Sequence, residues 1–302
     1  MGYLLGILAG LVLPAQTSIN TRLRKSVGTP FRASLGNFLV GLLFLTIVMF
    51  VIGEWHVNFG AMKGLPWWMF LGGACGATFI AGNVLLFPKL GGVQTVVFPV
   101  LGQILMGLLV DTFGWFRSTP IPLTAWRAAG AALVLAGSIA VALGGREHSE
   151  KAEGSSAAIW LYRLAGVGVG LVGPVQAAVN GRLAIELGST IQSSVMNFFT
   201  GSVLLLLIVL IQWPRSPKPS FHGPWWMYIG GLLGGVSLLC NVYLTQRIGA
   251  GTTILLILTG ITAGGVIVDQ FGIFESPKKP VNALKIVGIV TMLVGVAFIR
   301  LV

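Results

Sequence analysis

The sequence contains few charged residues: Asp, Glu, Lys and Arg make up 9% of its 302 residues, against about a quarter in an ordinary soluble domain. Hydrophobic residues make up 55%, and the mean hydropathy is +0.90. Such a chain cannot cover its surface with polar groups, which excludes a soluble globular protein, and it is too apolar to stay disordered. Its 43 glycines keep no period of three, which excludes a collagen-like chain. The composition predicts a multi-pass membrane protein.

Groups that carry enzyme chemistry are also scarce. The two cysteines lie inside apolar runs and the three histidines are isolated, so neither a disulfide framework nor metal-ligand spacing is present in the sequence. No GxxxxGK[ST] loop occurs, which argues against ATP-driven pumping by this chain. We therefore expect no enzyme activity, no cofactor and no metal. The net charge of +11 comes from short loops between apolar runs, which indicates the positive-inside bias of membrane proteins and not nucleic-acid binding.

Ten apolar stretches are long enough to cross a bilayer, which takes about 20 helical residues. The predicted spans are residues 2–22, 32–53, 66–87, 93–112, 122–144, 159–181, 191–212, 224–245, 251–269 and 281–301. A polar stretch separates the first five spans from the last five. We interpret residues 1–143 as the first five-helix repeat, 144–158 as a polar linker, and 159–302 as the second repeat.

The two halves match each other residue by residue, which is the strongest signal in the sequence. At an offset of 160, matching pairs include Pro14 and Pro174, Gln16 and Gln176, Asn20 and Asn180, Arg22 and Arg182, and Asn37 and Asn197. At an offset of 158, they include Trp67 and Trp225, Asn83 and Asn241, Asp111 and Asp269, and Phe116 and Phe274. Unrelated apolar segments would share leucines but not these polar residues in this order.

Five spans per repeat is an odd number, so the second copy should cross the membrane in the opposite sense. This predicts an all-α membrane protein of ten transmembrane helices built as two inverted-topology repeats, as in many secondary transporters. On these spans, 13 of the 19 basic residues lie on the side of the linker and 6 on the other. The positive-inside rule then predicts a cytoplasmic linker.

The segments LAGLVLPAQTSINTRLRKSVGTPFRASLGNFLVG and VGLVGPVQAAVNGRLAIELGSTIQSSVMNFFTG resemble the drug/metabolite transporter superfamily, specifically the YdcZ-type family in a fused two-repeat form. This resemblance implies an EamA-like fold, a multi-pass protein of the bacterial inner membrane, and an exporter. Small multidrug members of the superfamily use an acidic residue in their first helix for proton coupling. This chain has Pro14 and Gln16, or Pro174 and Gln176, in that region and no Asp or Glu.

Five amide side chains are candidate substrate-binding groups: Gln16, Asn20, Gln176, Asn180 and Gln103. Gln16 and Asn20 are four residues apart, as are Gln176 and Asn180, so each pair shares a helix face. Pro14 and Pro174 remove a backbone donor and should kink the helices beside these amides. The alternative is that the amides join helices by hydrogen bonds, each contributing about 1 kcal/mol.

Asp111 and Asp269 form the one acidic pair that both repeats keep near the spans. They are candidates for gating or proton coupling, since an acidic group beside a transport pathway can close it or carry a proton. The alternative is a structural role, in which each carboxylate caps a turn or pairs with a nearby base such as Arg117.

Together these features favour a secondary active transporter that exports a small organic solute by alternating access, driven by a proton or cation gradient. Amide and aromatic groups favour a neutral or zwitterionic solute. Two alternatives remain open: a channel-like or lipid-translocating protein, and a membrane-anchored interaction subunit. The expected partners are the lipid bilayer and the small-molecule substrate, and the chain is either a monomer of two repeats or a homodimer.

Overall fold

The computed structural model describes residues 2–56, 62–144, 156–276, 278 and 280–300, and these residues fold into helices joined by short turns. The predicted linker lies largely outside the described residues. The helices are α1 (Gly2–Leu11), α2 (Leu13–Val27), α3 (Pro30–Val51), α4 (Gly72–Phe113), α5 (Ala125–Gly144), α6 (Ser156–Leu187), α7 (Thr190–Gln212), α8 (Gly230–Ile248), α9 (Ala250–Phe271) and α10 (Ala283–Arg300).

Within the described residues, eight helical segments are long and apolar enough to cross a membrane. They are α1 with α2, α3, α4 from Gln94 onward, α5, α6, α7, α8 with the turn before it, and α9. Helix α10 is apolar but shorter. The chain is therefore an all-helical membrane protein, with eight segments that meet the criterion where the sequence predicted ten.

Helix α4 contains both the third and the fourth predicted spans in one element of 42 residues. Its first part packs antiparallel to α6, since Gly76 lies against Gln176 and Leu86 against Gly166. Its second part packs parallel to α6, since Phe98 also lies against Gly166 and Gln103 lies against Gly173. The chain therefore reverses direction within α4, and both parts contact the same stretch of α6.

Glycines allow several helix pairs to approach closely. Gly130 and Gly137 of α5 lie against Gly295 and Gly288 of α10, and this order makes the two helices antiparallel. Gly10 of α1 packs against the α9 backbone. Without side chains at these positions the backbones come into contact, which is how membrane helices gain packing energy in the absence of a hydrophobic drive between them.

Equivalent turns in the two halves have the same backbone conformation. The turn after α4 has Gly114 at φ 64° and Phe116 at φ 58°, and the turn after α9 has Gly272 at φ 64° and Phe274 at φ 55°. A positive φ is unfavourable for a bulky residue such as Phe. Each of these phenylalanines packs against a tryptophan, Trp68 or Trp226, which holds the turn in place.

The two prolines have different effects on their helices. The helix is interrupted at Val12, two residues before Pro14, so that α1 and α2 are separate elements. Helix α6 continues through Pro174 as one helix. The helix is thus broken beside Pro14 and continuous at Pro174, and a kink at either proline stays a prediction.

Candidate functional site

A cavity of about 200 Å³, here called the central cavity, lies where the two halves of the chain meet. Its polar lining consists of Gln16, Asn37, Gln176, Asn197, Ser237 and Asn241. The rings of Phe38 and Phe198 also line it, with centroids 5.0 Å apart and planes inclined at 51°. None of its described lining residues is charged. The cavity therefore offers amides and aromatic faces to a ligand.

A smaller cavity of about 150 Å³ adjoins the central cavity and shares Gln176, Leu238 and Asn241 with it. It is called the side cavity here, and Gln103 lines it. Gln103, whose counterpart in the second half is Ile261, thus lines the side cavity together with Gln176.

The amides of the second half form a hydrogen-bonded cluster. Gln176 Nε2 and Asn180 Nδ2 both donate to Asn197 Oδ1, over 3.0 and 2.9 Å. Asn180 is 1% exposed and does not line the cavity. Asn180 therefore positions Asn197, and Gln176 and Asn197 present the cluster to the cavity.

The equivalent amides of the first half are not joined in this way. Asn20 Oδ1 and Asn37 Oδ1 are buried and accept no hydrogen bond from any described residue. Both oxygens lie 2.8 Å from the position that a Cβ atom on Gly230 would occupy. The two halves thus supply the same amides with different hydrogen bonding: those of the second half are joined to one another, whereas two buried amide oxygens of the first half have no described donor.

Contacts across the cavity are reciprocal. Gly41 of α3 lies against the ring of Phe198, and Gly201 of α7 lies against the ring of Phe38. These contacts place α3 and α7 antiparallel to each other, with the phenylalanines at the crossing. Small residues beside the rings let the helices close around the central cavity.

Asp111 lies in a buried ion pair. Its Oδ2 is 2.6 Å from Arg127 Nη2, and its carboxylate accepts from the backbone N–H groups of Gly251 and Thr252, at 3.0 and 3.3 Å. The carboxylate thus satisfies free donors at the start of α9. This is the structural role given above as the alternative, except that the paired base is Arg127, 2% exposed, where Arg117 was named as the example.

The sequence contained a signal for the buried base. At the offset of 158, Arg127 matches Lys285, so both copies keep a basic residue at this position. Lys285 is also 2% exposed and donates to the carbonyl of Pro280 at 3.3 Å, as Arg127 does to Pro122 at 3.2 Å.

Two further cavities lie at the ends of the helices. The first vestibule, about 570 Å³, is lined by Pro14, Thr17, Ser18, Thr21, Arg22, Lys25, Asp269 and Glu275 among others. The second vestibule, about 200 Å³, is lined by Arg117, Ser118, Thr119, Arg182, Thr245, Gln246 and Arg247 among others. The two vestibules occupy equivalent places in the repeats, because Arg22 is the counterpart of Arg182 and Glu275 is the counterpart of Arg117.

The structure brings together three of the five predicted amides, Gln16, Gln176 and Gln103, around connected cavities. Asn20 and Asn180 lie behind the lining. Lining residues that were not among the predicted binding groups include Asn37, Asn197, Asn241, Phe38 and Phe198. Each occurs at a matched position of the repeat, and that matching was the signal that could have found them.

Comparison with known proteins identifies a family whose model matches both halves of the chain. A family model described as "Putative inner membrane exporter, YdcZ" matches residues 1–140 and again residues 161–298. A curated relative, the inner membrane protein YdcZ of Escherichia coli (strain K12), is 31% identical over 121 residues, which cover 39% of this chain and 78% of the relative.

A solved structure, described only as "Crystal structure of protein", has the same fold. Its TM-score is 0.70 at 16% identity, and the superposition covers 99% of this chain and 96% of the other. At this identity the likeness concerns the fold alone.

Proposed function

The chain belongs to the YdcZ family, described as inner membrane exporters, and from this premise we propose that it is a secondary active transporter that exports a small organic solute by alternating access. The central cavity carries this proposal, because it lies between the two halves and takes matching amide and phenylalanine residues from each. A site between two repeats is where such transporters bind their substrates.

The proposed architecture is two inverted five-helix repeats, residues 1–143 and 159–302, joined by the linker. Three observations support it. The family model matches the chain twice, once in each half. The equivalent helices α5 and α10 pack antiparallel, as do α3 and α7. The reversal within α4 divides that element into two segments, and α10 would be the last of ten spans.

The proposed pathway joins the four cavities. Gln176 and Asn241 connect the central and side cavities. Thr245 of the second vestibule is one turn beyond Asn241, with Thr245 Oγ1 3.5 Å from Asn241 Oδ1. Pro14 of the first vestibule is two residues from Gln16. The first vestibule is the larger by about 370 Å³, the difference between 570 and 200 Å³, as expected for a carrier open toward one side.

Saturable uptake with counterflow in liposomes tests the transport proposal. Purified protein would first be screened by thermal shift against small neutral and zwitterionic metabolites, and the stabilising compounds would be used as labelled solutes. A carrier shows saturation and accelerated exchange when unlabelled solute is on the opposite side. Flux that rises linearly with concentration and shows no counterflow would instead support the channel-like alternative and contradict alternating access.

A further inference from the structure

The second vestibule contains an unusual concentration of positive charge. Arg117, Arg182 and Arg247 all line this space of about 200 Å³. On the predicted spans, these three belong to the six basic residues of the face that has fewer of them. The positive-inside bias does not explain basic residues on that face. A local interaction in the second vestibule would explain why three of them line one cavity.

The described part of the chain supplies little negative charge to these arginines. Arg182 Nη2 pairs with Glu186 Oε1, and its Nε is buried without a described partner. The guanidinium of Arg247 lies 4.3 Å from the centre of the Tyr243 ring. No described carboxylate pairs with Arg117 or Arg247. Asp111 lies beside Gly249 at the base of the vestibule, but its carboxylate is already bound to Arg127 and two backbone amides.

In the first vestibule, the arginine at the equivalent position has a carboxylate partner. There, Arg22 Nε lies 3.0 Å from Glu275 Oε2. Arg182 is the counterpart of Arg22, and Arg117 is the counterpart of Glu275. Arg117 and Glu275 have the same unusual backbone conformation, with φ 59° and 60°. The turn is thus kept while the charge at its tip is reversed. Arg182 takes Glu186 of its own helix as its counter-charge and donates to the backbone carbonyl of Arg117 over 3.4 Å, which leaves the Arg117 guanidinium without a described carboxylate.

Arg117 and Arg247 bring two positive charges without a described carboxylate to one small cavity. Their guanidinium groups repel each other, and an anion between them removes that repulsion. Arg binds carboxylates with two parallel hydrogen bonds, which suits a planar acid group better than a chloride ion. Ser118, Thr119 and Gln246 line the same cavity and could complete the coordination. We propose that the second vestibule is a carboxylate-binding site, in which Arg117, Arg182 and Arg247 hold the acid group of the transported solute.

The surroundings favour a small soluble acid over a lipid phosphate. The vestibule adjoins the uncharged side cavity, since Thr245 and Ala178 line the vestibule and their neighbours Asn241 and Ala177 line the side cavity. A zwitterionic or monoanionic solute can leave its acid group on the arginines while its remainder enters the amide-lined space. That this solute is transported rests on the proposed function. Binding of a carboxylate at this site does not depend on the proposed transport function.

Thermal unfolding of the purified protein in a neutral detergent tests the site directly. Sodium acetate, compared with sodium chloride at equal ionic strength, should raise the Tm of the wild-type protein in a saturable way. Arg117→Gln and Arg182→Gln should each raise the apparent Kd for acetate about tenfold, since a hydrogen bond to a charged group contributes about 1.5 kcal/mol or more. Arg24→Gln, an exposed position at the end of α2, is the matched control and should behave as wild type.

Charge reversal separates a binding site from a structural role. Arg117→Glu recreates the charge pattern of Arg22 and Glu275, so it should raise the Tm without acetate and abolish the acetate response. A purely structural Arg117 would give a lower Tm instead. If Arg182→Gln does not fold, Arg247→Gln supplies the same comparison, because no described carboxylate depends on Arg247.

Several outcomes would overturn the carboxylate site. One is a wild-type Tm that responds equally to acetate and chloride. Another is an acetate response that survives in the folded arginine variants. Arginine-dependent stabilisation by phosphatidylglycerol vesicles, but not by phosphatidylcholine vesicles with acetate, would assign the arginines to a lipid phosphate and refute the proposal. Acetate binding that needs the arginines, in a protein without solute flux in liposomes, would support the site and contradict only the transport function.

Discussion

Gln176 Nε2 donates to Asn197 Oδ1 over 3.0 Å, which joins α6 to α7 at the wall of the central cavity. In the first half, the equivalent Gln16 makes no side-chain hydrogen bond to a described residue, and Asn37 Oδ1 is left without a partner. One glutamine is therefore held in place and the other is free to meet a ligand. In the second half the amides thus link two helices as well as lining the cavity, and substrate binding by either glutamine stays a prediction.

This difference predicts unequal effects of two equivalent substitutions. Gln176→Ala should lower the stability by about 1 kcal/mol, since it removes an interhelical hydrogen bond, whereas Gln16→Ala should leave the Tm close to wild type. Both should reduce transport per folded molecule. Thermal unfolding and liposome uptake check this pair, with Gln212→Ala, at the end of α7 and outside the cavity, as the control. Near-normal transport by both variants would refute the site assignment.

Asp111→Asn should destabilise the protein by about 3–5 kcal/mol, because it leaves Arg127 buried without a counter-charge. Transport per folded molecule should be unchanged, as the carboxylate lies outside the central cavity and is bound to backbone amides. Yield, Tm and specific uptake measure these effects separately. Folded Asp111→Asn protein that has lost concentrative transport would contradict this expectation and support the gating hypothesis, which stays a prediction for this residue.

Asp269 remains the candidate for gating or proton coupling, since it lines the larger, first vestibule. We expect Asp269→Asn to give folded protein that exchanges solute but no longer concentrates it. Uptake against a gradient, measured across a range of pH, tests this, with counterflow as the control for binding. Normal pH-dependent accumulation by this variant would exclude both roles.

Close packing on α6 gives a prediction that does not depend on the transport function. A Cβ atom on Gly170 would meet the backbone of Pro99, whereas one on Gly168 has nothing within 4 Å. Gly170→Ala should cost about 1–3 kcal/mol through overpacking, and Gly168→Ala should be neutral or slightly stabilising. The two positions are two residues apart on one helix, so equal Tm values for the two variants would contradict the close contact between Gly170 of α6 and Pro99 of α4.

The orientation is tested at Ser149 in the predicted linker, which lies outside the described residues. The 13-to-6 bias in basic residues predicts that the linker is cytoplasmic and that both termini face the other side. A cysteine at this position, in a background without Cys75 and Cys240, should react with an impermeant maleimide only after the cells are opened. Labelling in intact cells would reverse the assignment.

The sequence by itself determined the class of the protein. With so few charged residues and such long apolar runs, the surface of the folded chain must be largely apolar, and a lipid bilayer is the environment that accommodates it. It also determined the repeat and the matched amides, since residues such as Gln16 and Gln176 recur at a fixed offset among otherwise interchangeable apolar residues. The helical period placed Gln16 beside Asn20, but a shared face does not say which of the two reaches a cavity. That depends on the neighbouring helices, which cover Asn180 and leave Gln176 open.

Only the tertiary structure decided which residues meet across long sequence separations. Asp111 could have paired with the nearer Arg117 along the chain, but the turn at Gly114 directs Arg117 into the second vestibule, and the start of α5 brings Arg127 to the carboxylate. Glu275 pairs with Arg22, whereas its counterpart Arg117 lies beside Arg182. This difference likewise becomes visible only when the two turns are placed beside the helices they contact. Local patterns fix the helices and their faces, whereas the packing between helices fixes which polar groups share a dry interior, where each one needs a partner.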